Sequence, residues 1–339
     1  MSSPNLDPDF ALLLPGVKNE FNRLWDLPLQ EMKSVFREST LTLPASIPDL
    51  SAIDVTMEKI QTSDGARLEL QIYTPKSLPP GPRQLPLFLV THGGGWVVGG
   101  HGSEEGLTRL VCVQNQCVVV SVDYRMAPEY PFPYALNDSF DALKWCKAHG
   151  KSIGINTERI IVGGTSAGGN LAVGLALRSR DEGITGIVGQ VLCIPALCHP
   201  DFFPRDKFKL ESYEASADAA IVSGKLMRWF WNLYMPEPSP DPYASPLLAP
   251  SLKGLPPTLI QVAELDPLRD EGMAGAGALQ SAGVHVRLEV YKGLPHGFYQ
   301  FPSIKQVERY YGVVIDFINY VLGRKCVELE NRGFHSARL

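Results

Sequence analysis

The middle of this 339-residue sequence is punctuated by short, continuous apolar runs at 87–90, 118–122, 160–162, 188–194 and 259–262. A strand with one wet face alternates apolar and polar residues, whereas a strand covered on both faces does not. Such runs therefore fit the buried strands of a parallel sheet. Between them lie helix-length segments, notably 135–149, 168–180 and 270–282, and a last strand pattern at 286–291 leads to a terminal helix around 304–321. This alternation implies an α/β layered fold. The length favours one enlarged domain, because large α/β sheets often reach this size as one unit with insertions.

Two regions depart from the rhythm. Residues 53–60 and 66–73 alternate around Ser63-Asp64-Gly65, the pattern of an antiparallel hairpin at a sheet edge. Residues 197–250 carry no strand candidate of the parallel type and read as an insertion, in which 221–234 is a helix holding Trp229, Phe230, Trp231 and Tyr234. Residues 1–50 read as a helical extension and 326–339 as a polar, flexible tail. The core is then 51–196 and 236–325, interrupted at 197–235.

A net charge of −5 without clustered Lys and Arg argues against nucleic acid or an anionic membrane surface, so a small-molecule substrate is expected. The six cysteines show no C-x-x-C spacing; reduced, buried thiols are expected, not a zinc site or redox pair. No run of about 18 apolar residues occurs, and the N-terminus lacks the pattern of a secretory signal. The expectation is an intracellular protein without an integral membrane segment. Its last residues, Ala337-Arg338-Leu339, are a loose version of the Ser-Lys-Leu peroxisomal address, which makes an import receptor a candidate partner and leaves cytoplasm and peroxisome both open. A homodimer is a further candidate assembly.

An unactivated serine is a poor nucleophile, so its hydroxyl must be presented away from the backbone and beside a base. Gly164-Thr165-Ser166-Ala167-Gly168 follows the apolar strand 159–162 and opens a helix of small residues, the context that gives a G-x-S-x-G match its meaning. Thr91-His92-Gly93-Gly94-Gly95-Trp96 follows the strand 87–90. Its glycines leave amides free to approach an oxyanion, and the Ala167 amide points to the same place from a helix N-terminus. A phosphate loop is the weaker reading, since no Gly-Lys-Ser/Thr follows these glycines and they do not form a G-x-G-x-x-G. His92 is expected to brace this loop.

The base and its orienting acid should come later in the chain. His296 lies just after the last strand pattern, and Asp266 follows the strand 259–262 and could hold the imidazole tautomer. Glu264 and Asp270 are rival acids, although Asp270-Glu271 reads better as the acidic first turn of the next helix. His149, His199, His285 and His335 are expected to face solvent. Trp96, Trp229 and Trp231 are expected to bind substrate, with the aromatic helix serving as a lid; the bland alternative is that its rings merely glue the insertion to the core.

These segments together resemble the hormone-sensitive lipase family of α/β-hydrolase esterases. The resemblance rests on His92-Gly93-Gly94-Gly95, Asp123 to Glu129 with Pro131-Phe132-Pro133, Gly164 to Asn170, Tyr243 to Pro246, Asp266 to Glu271 and His296-Gly297-Phe298. It implies a mostly parallel eight-stranded sheet with helices on both faces and a helical cap, the cap being formed by the N-terminal segment and the insertion. It implies a triad of Ser166, Asp266 and His296, an oxyanion hole of Gly94, Gly95 and Ala167, and ester hydrolysis through an acyl-enzyme with no metal or organic cofactor. Short-to-medium acyl esters or secondary-metabolite esters are the implied substrates. Thr165, where many members have Asp, departs from the commonest pattern. Amide deacetylation and acyl transfer remain open, since they share the acyl-enzyme step. A non-catalytic receptor on the same fold is a further alternative, against which the presence of His296 speaks.

Overall fold

The computed structural model describes residues 6–38, 43–77 and 84–324. The last tripeptide, Cys326 and His335 lie outside them. Two helices come first, α1 (Pro8–Trp25) and α2 (Leu29–Glu38). Asp7 starts α1: its carboxylate accepts from the amides of Asp9 and Phe10, and Pro8 occupies the first turn, where no amide hydrogen is needed. The hairpin follows as β1 (Ile53–Gln61) and β2 (Arg67–Pro75), antiparallel with Gln61 opposite Arg67. Along β1 only Ile53 and Ile60 are buried, because this strand forms the edge of the sheet.

The layered core runs β3 (Leu85–Thr91), α3 (Glu105–Gln114), β4 (Val118–Asp123), α4 (Tyr134–His149), β5 (Ile155–Thr165), α5 (Ala167–Asp181) and β6 (Ile187–Cys193). After the insertion, with its short α6 (Ser212–Ala215) and its α7 (Gly224–Tyr234), come β7 (Thr258–Ala263), α8 (Arg269–Ser281), β8 (Val286–Tyr291) and α9 (Gln306–Val321). The eight strands lie in the order β1-β2-β4-β3-β5-β6-β7-β8, with β2 antiparallel to both its neighbours, β1 and β4, and all the other pairs parallel. Helices α3 and α9 pack together and on the sheet, while α4, α5 and α8 form the other helical group. Each apolar run of the sequence falls on a strand, with Ile194 lying just past the end of β6, and β3 and β7 are buried at every residue.

Three differences from the sequence reading have local causes. Strand β5 begins at Ile155, five positions before its apolar run, because its polar start pairs with the beginning of β3, opposite Leu85 and Pro86. Helix α3 is invisible to periodicity at its start, where Glu105-Gly106 continues a glycine-rich loop. Helix α7 begins only at Gly224, since Ser223 accepts the Leu226 amide as a cap; Ile221 and Val222 stay outside it. Residues 197–250 contain no strand, as expected. No helix among the described residues is long and apolar enough to cross a membrane.

The sheet order reverses at β3, whose next strand β4 lies on one side while β5 lies on the other. Such a switch point leaves a crevice outside the carboxyl ends of the strands, the general location of ligand sites in open α/β sheets.

Candidate active site

Ser166 sits alone between the end of β5 and the start of α5, at φ 57° and ψ −117°. A side chain in this region costs on the order of 1–3 kcal/mol and persists only where its surroundings enforce it. They do: the Ser166 amide donates to the Cys193 carbonyl at 2.8 Å, and the Ser166 carbonyl accepts from Asn170 at 3.1 Å. The flanking glycines are demanded by space. A Cβ at Gly164 or Gly168 would run into the Thr91 carbonyl oxygen at the end of β3.

The loop after β3 turns sharply, with Gly94 at φ 107° and Gly95 and Trp96 both at φ 60°. The amides of Val97 and Val98 close it on the Gly94 carbonyl, each at 3.0 Å. His92 is buried, stacks on Tyr124 at 4.1 Å and places Nδ1 2.7 Å from the Gly93 carbonyl oxygen, which requires the proton on Nδ1. Burial lowers its pKa to about 4, so it is a neutral brace. Gly94, Gly95 and Ser166 line one pocket. Ala167 begins α5, where an amide has no intrahelical acceptor; its side chain is buried below the pocket wall.

Downstream, the Glu264 amide donates to the Tyr291 carbonyl and the Leu265 amide to the Leu294 carbonyl, each at 2.9 Å, which ties the loops after β7 and β8 together. That brings His296 Nδ1 to 2.7 Å from Asp266 Oδ2, while Asp266 Oδ1 accepts from the Leu268 amide at 2.7 Å. Asp266 is 1% exposed. The rival acids are occupied elsewhere. Glu264 accepts from the Gly293 amide, and Asp270 accepts from the amides of Glu211 and Ser212 and pairs with Arg269. His296 lines the same pocket as Ser166.

The pocket encloses about 770 Å³ of space between its walls, open mouth included. Its apolar wall comes from sequence-remote segments: Phe21 and Trp25 of α1, Phe36 of α2, Ile221 and Val222 before α7, and Phe230 within it. Trp25 Nε1 donates to the Ile221 carbonyl at 2.7 Å, joining the two segments. Arg37, next to Phe36, forks the Asp123 carboxylate at 2.9 and 3.2 Å. The N-terminal wall is thereby fastened to the sheet.

The expected substrate-binding tryptophans need correction. Trp96 and Trp231 are fully buried and pack on each other, with ring centroids 4.5 Å apart, and Trp96 stacks on Tyr234 at 4.2 Å; neither is on the pocket wall. Trp229 is half-buried against the far side of Phe230 and is also off the wall. Helix α7 turns Phe230, not a tryptophan, toward Gly95. His199, expected at the surface, is buried beside Trp231. Trp231→Ala is expected to cost roughly 3–5 kcal/mol of stability with an unchanged acyl-length profile, whereas Phe230→Ala should shift the preference toward bulkier acyl groups. Thermal melts and an ester series check both; a shifted profile in the Trp231 variant alone would reverse the assignment.

Two carboxylates missed by sequence reasoning are buried here. Glu104 lines the pocket, and Glu271 accepts from the amides of Leu197 and Cys198 and from the Tyr213 hydroxyl. Burial pushes them up to about 7 and about 8. A raised carboxyl pKa contributes stability that is complete below its ordinary value and lost as pH rises through the folded value. The buried His92, His101 and His199 are lowered, so their contribution is lost as pH falls below about 6.5. The melting temperature should therefore peak near pH 6.5 and decline toward pH 8.5, and Glu271→Gln should flatten the decline. A melting temperature that climbs steadily to pH 8.5 would contradict this account. Donor atoms of Glu69, His101 and Asp123 lie within 4.8 Å of one another, but Arg37 already neutralises Asp123, and the cluster is apart from the pocket. The cysteines at 112, 117, 146, 193 and 198 are free and buried.

A family model for the alpha/beta hydrolase fold matches residues 88–300. The versiconal hemiacetal acetate esterase of Aspergillus parasiticus is 39% identical over 250 residues, covering 73% of this chain and 76% of that protein. The carboxylesterase NlhH of Mycobacterium tuberculosis is 33% identical over 309 residues, covering 90% of this chain and 92% of its own. Among solved structures, a thermostable esterase from Pseudomonas putida superimposes with a TM-score of 0.82 at 32% identity, covering 97% of this chain and 100% of that one. A vibralactone cyclase also reaches 0.82, at 28% identity, with 94% of this chain and 96% of its own covered. With the fold, the sequence relatives and the structural neighbours in agreement, this chain belongs to the hormone-sensitive lipase-like family of α/β-hydrolase esterases and is a carboxylesterase-type hydrolase.

Proposed function

We propose that the esterase acts through an acyl-enzyme on Ser166, with His296 as the base and Asp266 holding its tautomer. The observation that carries this reading is the convergence of a strained serine and an imidazole on one pocket, the imidazole being held through Nδ1 by a buried carboxylate. In this scheme His296 Nε2 takes the Ser166 proton as Oγ attacks the ester carbonyl. The amides of Gly94, Gly95 and Ala167 receive the oxyanion, the alcohol leaves with the proton from His296, and water repeats the sequence to release the acid. No step draws on a metal or organic cofactor.

The wall built from α1, α2 and the insertion serves as the cap, and its aromatic and branched side chains favour an apolar acyl or alcohol group. Short-to-medium acyl esters and secondary-metabolite esters suit such a wall, and the Aspergillus relative is itself named for an acetate ester. Amide cleavage and acyl transfer would use the same acyl-enzyme.

Rapid mixing with a nitrophenyl acetate or butyrate should give a nitrophenol burst of about one per chain. A fluorophosphonate should label one serine, found in the peptide containing Ser166. Folded protein without ester turnover, or a label on another residue, would sink the proposal. An anilide substrate and an added alcohol in the same assay separate ester hydrolysis from amide cleavage and acyl transfer.

A further inference from the structure

Glu104 is 3% exposed and lies on the wall of the pocket that holds Ser166. One of its oxygens accepts the Gly93 amide at 3.2 Å, at the head of the glycine loop. The other accepts the Thr165 hydroxyl at 2.8 Å, on the residue immediately before Ser166. Thr165 is also where the chain departs from the commonest family pattern. A single carboxylate thus bridges the loop that would receive the oxyanion and the turn that would carry the nucleophile. Among the described residues no Lys, Arg or His forms an ion pair with it.

On the functional reading given above, we infer that Glu104 is a positioning residue for the esterase reaction: its ionised carboxylate clamps Gly93 and Thr165 in register around Ser166, and protonation loosens the clamp. An ionised carboxylate only accepts hydrogen bonds, and it does so about twice as strongly as a neutral acceptor. A protonated carboxyl must donate from one oxygen, so it cannot offer the same two charge-assisted bonds. The Gly93 amide is a fixed donor and cannot adapt, whereas the Thr165 hydroxyl can rotate.

The surroundings make the proton on Glu104 a consequential one near neutrality. Burial raises it and the two hydrogen bonds lower it, with a balance at about 7. The titratable groups that feel its charge are Tyr124 beyond β4, Cys193 at the end of β6, Tyr299 after β8, and Tyr310 and Tyr311 on α9. Burial pushes each of them upward, so they stay neutral while Glu104 titrates. His296 is the remaining titratable group on the pocket wall, and it must itself be neutral to accept a proton. Protonation of Glu104 then adds its own loss of activity on the acid side.

The test is the pH dependence of kcat/KM in the full chain with nitrophenyl butyrate. As pH falls through about 7, the wild type should show a drop in kcat/KM of roughly 10- to 100-fold that comes from the clamp. Glu104→Gln should lower kcat roughly 10- to 100-fold with KM changed less than about threefold, and this drop should be missing from its profile. Thr165→Val removes a bond that lowers the Glu104 pKa but keeps the Gly93 contact, so it should move the acid limb upward by roughly half a unit to one unit. A residue that merely filled space would leave both the drop and the limb in place. The inference is overturned if Glu104→Gln keeps the wild-type kcat, or if its profile retains the drop and the limb of Thr165→Val does not move. Fluorophosphonate labelling separates this failure from that of the functional reading: labelled, active wild type with an unmoved profile sinks the clamp alone, whereas folded wild type that neither labels at Ser166 nor turns over sinks the reading beneath it.

Discussion

Asp266→Asn is expected to lower kcat by roughly 10⁴, while Asp270→Asn stays within about threefold of wild type. The large effect follows from the hydrogen bond on the other oxygen. Asp266 Oδ1 accepts the Leu268 amide, a donor that cannot reverse, so an asparagine here must turn its carbonyl to Leu268 and its NH₂ to His296. Nδ1 would then have to accept, which drives the imidazole proton to Nε2, the nitrogen that must be free to take the proton of Ser166. The side chain keeps its shape and the tautomer is inverted. Asp270 instead caps backbone amides of the insertion and pairs with Arg269, so its loss should cost about 1 kcal/mol of stability and little turnover. Steady-state kinetics and thermal melts on the two variants decide the matter; equal or reversed losses in kcat would mean that the acid has been misassigned.

Gly94→Ala should reduce kcat by roughly 10² to 10³ with the protein still folded. At φ 107° an L-residue is strained, and the added Cβ would enter the Val98 carbonyl oxygen, so the loop must move. Relief is difficult because the amides of Val97 and Val98 both close on the Gly94 carbonyl, and any shift carries Gly95 with it. Gly183→Ala is the control for strain without collision. Gly183 has φ +71° and nothing within 4 Å of a built Cβ, and it lies at the far end of α5, so about 1 kcal/mol of stability and no loss of kcat is expected. If the two variants lose the same kcat, the glycine loop does not have the role proposed for it.

The features legible in the sequence were those with a local physical signature. Short apolar runs separated by helix-length segments fit strands covered on both faces, so β3 to β7 could be placed within a few residues, and the glycines around Ser166 announced a turn with no room for side chains. Asp266 and His296 could be singled out as the proposed acid and base because each follows the carboxyl end of a strand. What failed was orientation. Whether Phe230 or Trp231 meets the cavity depends on how α7 is rotated, and that rotation is set by the packing of Trp231 and Tyr234 on Trp96, which lies outside the helix. The wall depended on Trp25 reaching Ile221 across 196 positions of sequence. Glu104 gave no signal, because a glutamate before a helix looks like an ordinary charge favoured by the helix dipole until its burial is known.

The fastening of the N-terminal wall divides this chain into parts that can change at different rates. Phe21, Trp25 and Phe36 touch the pocket, and their helices are joined to the rest by polar anchors at separate points, Trp25 to Ile221, Lys33 to Glu129 and Arg37 to Asp123 among them. An exchange of the first two helices that keeps those anchors would remodel the pocket without touching the strand ends. Substrate range could then diverge among descendants of one such ancestor by replacement of a terminal segment, a shorter evolutionary route than rebuilding the layered core.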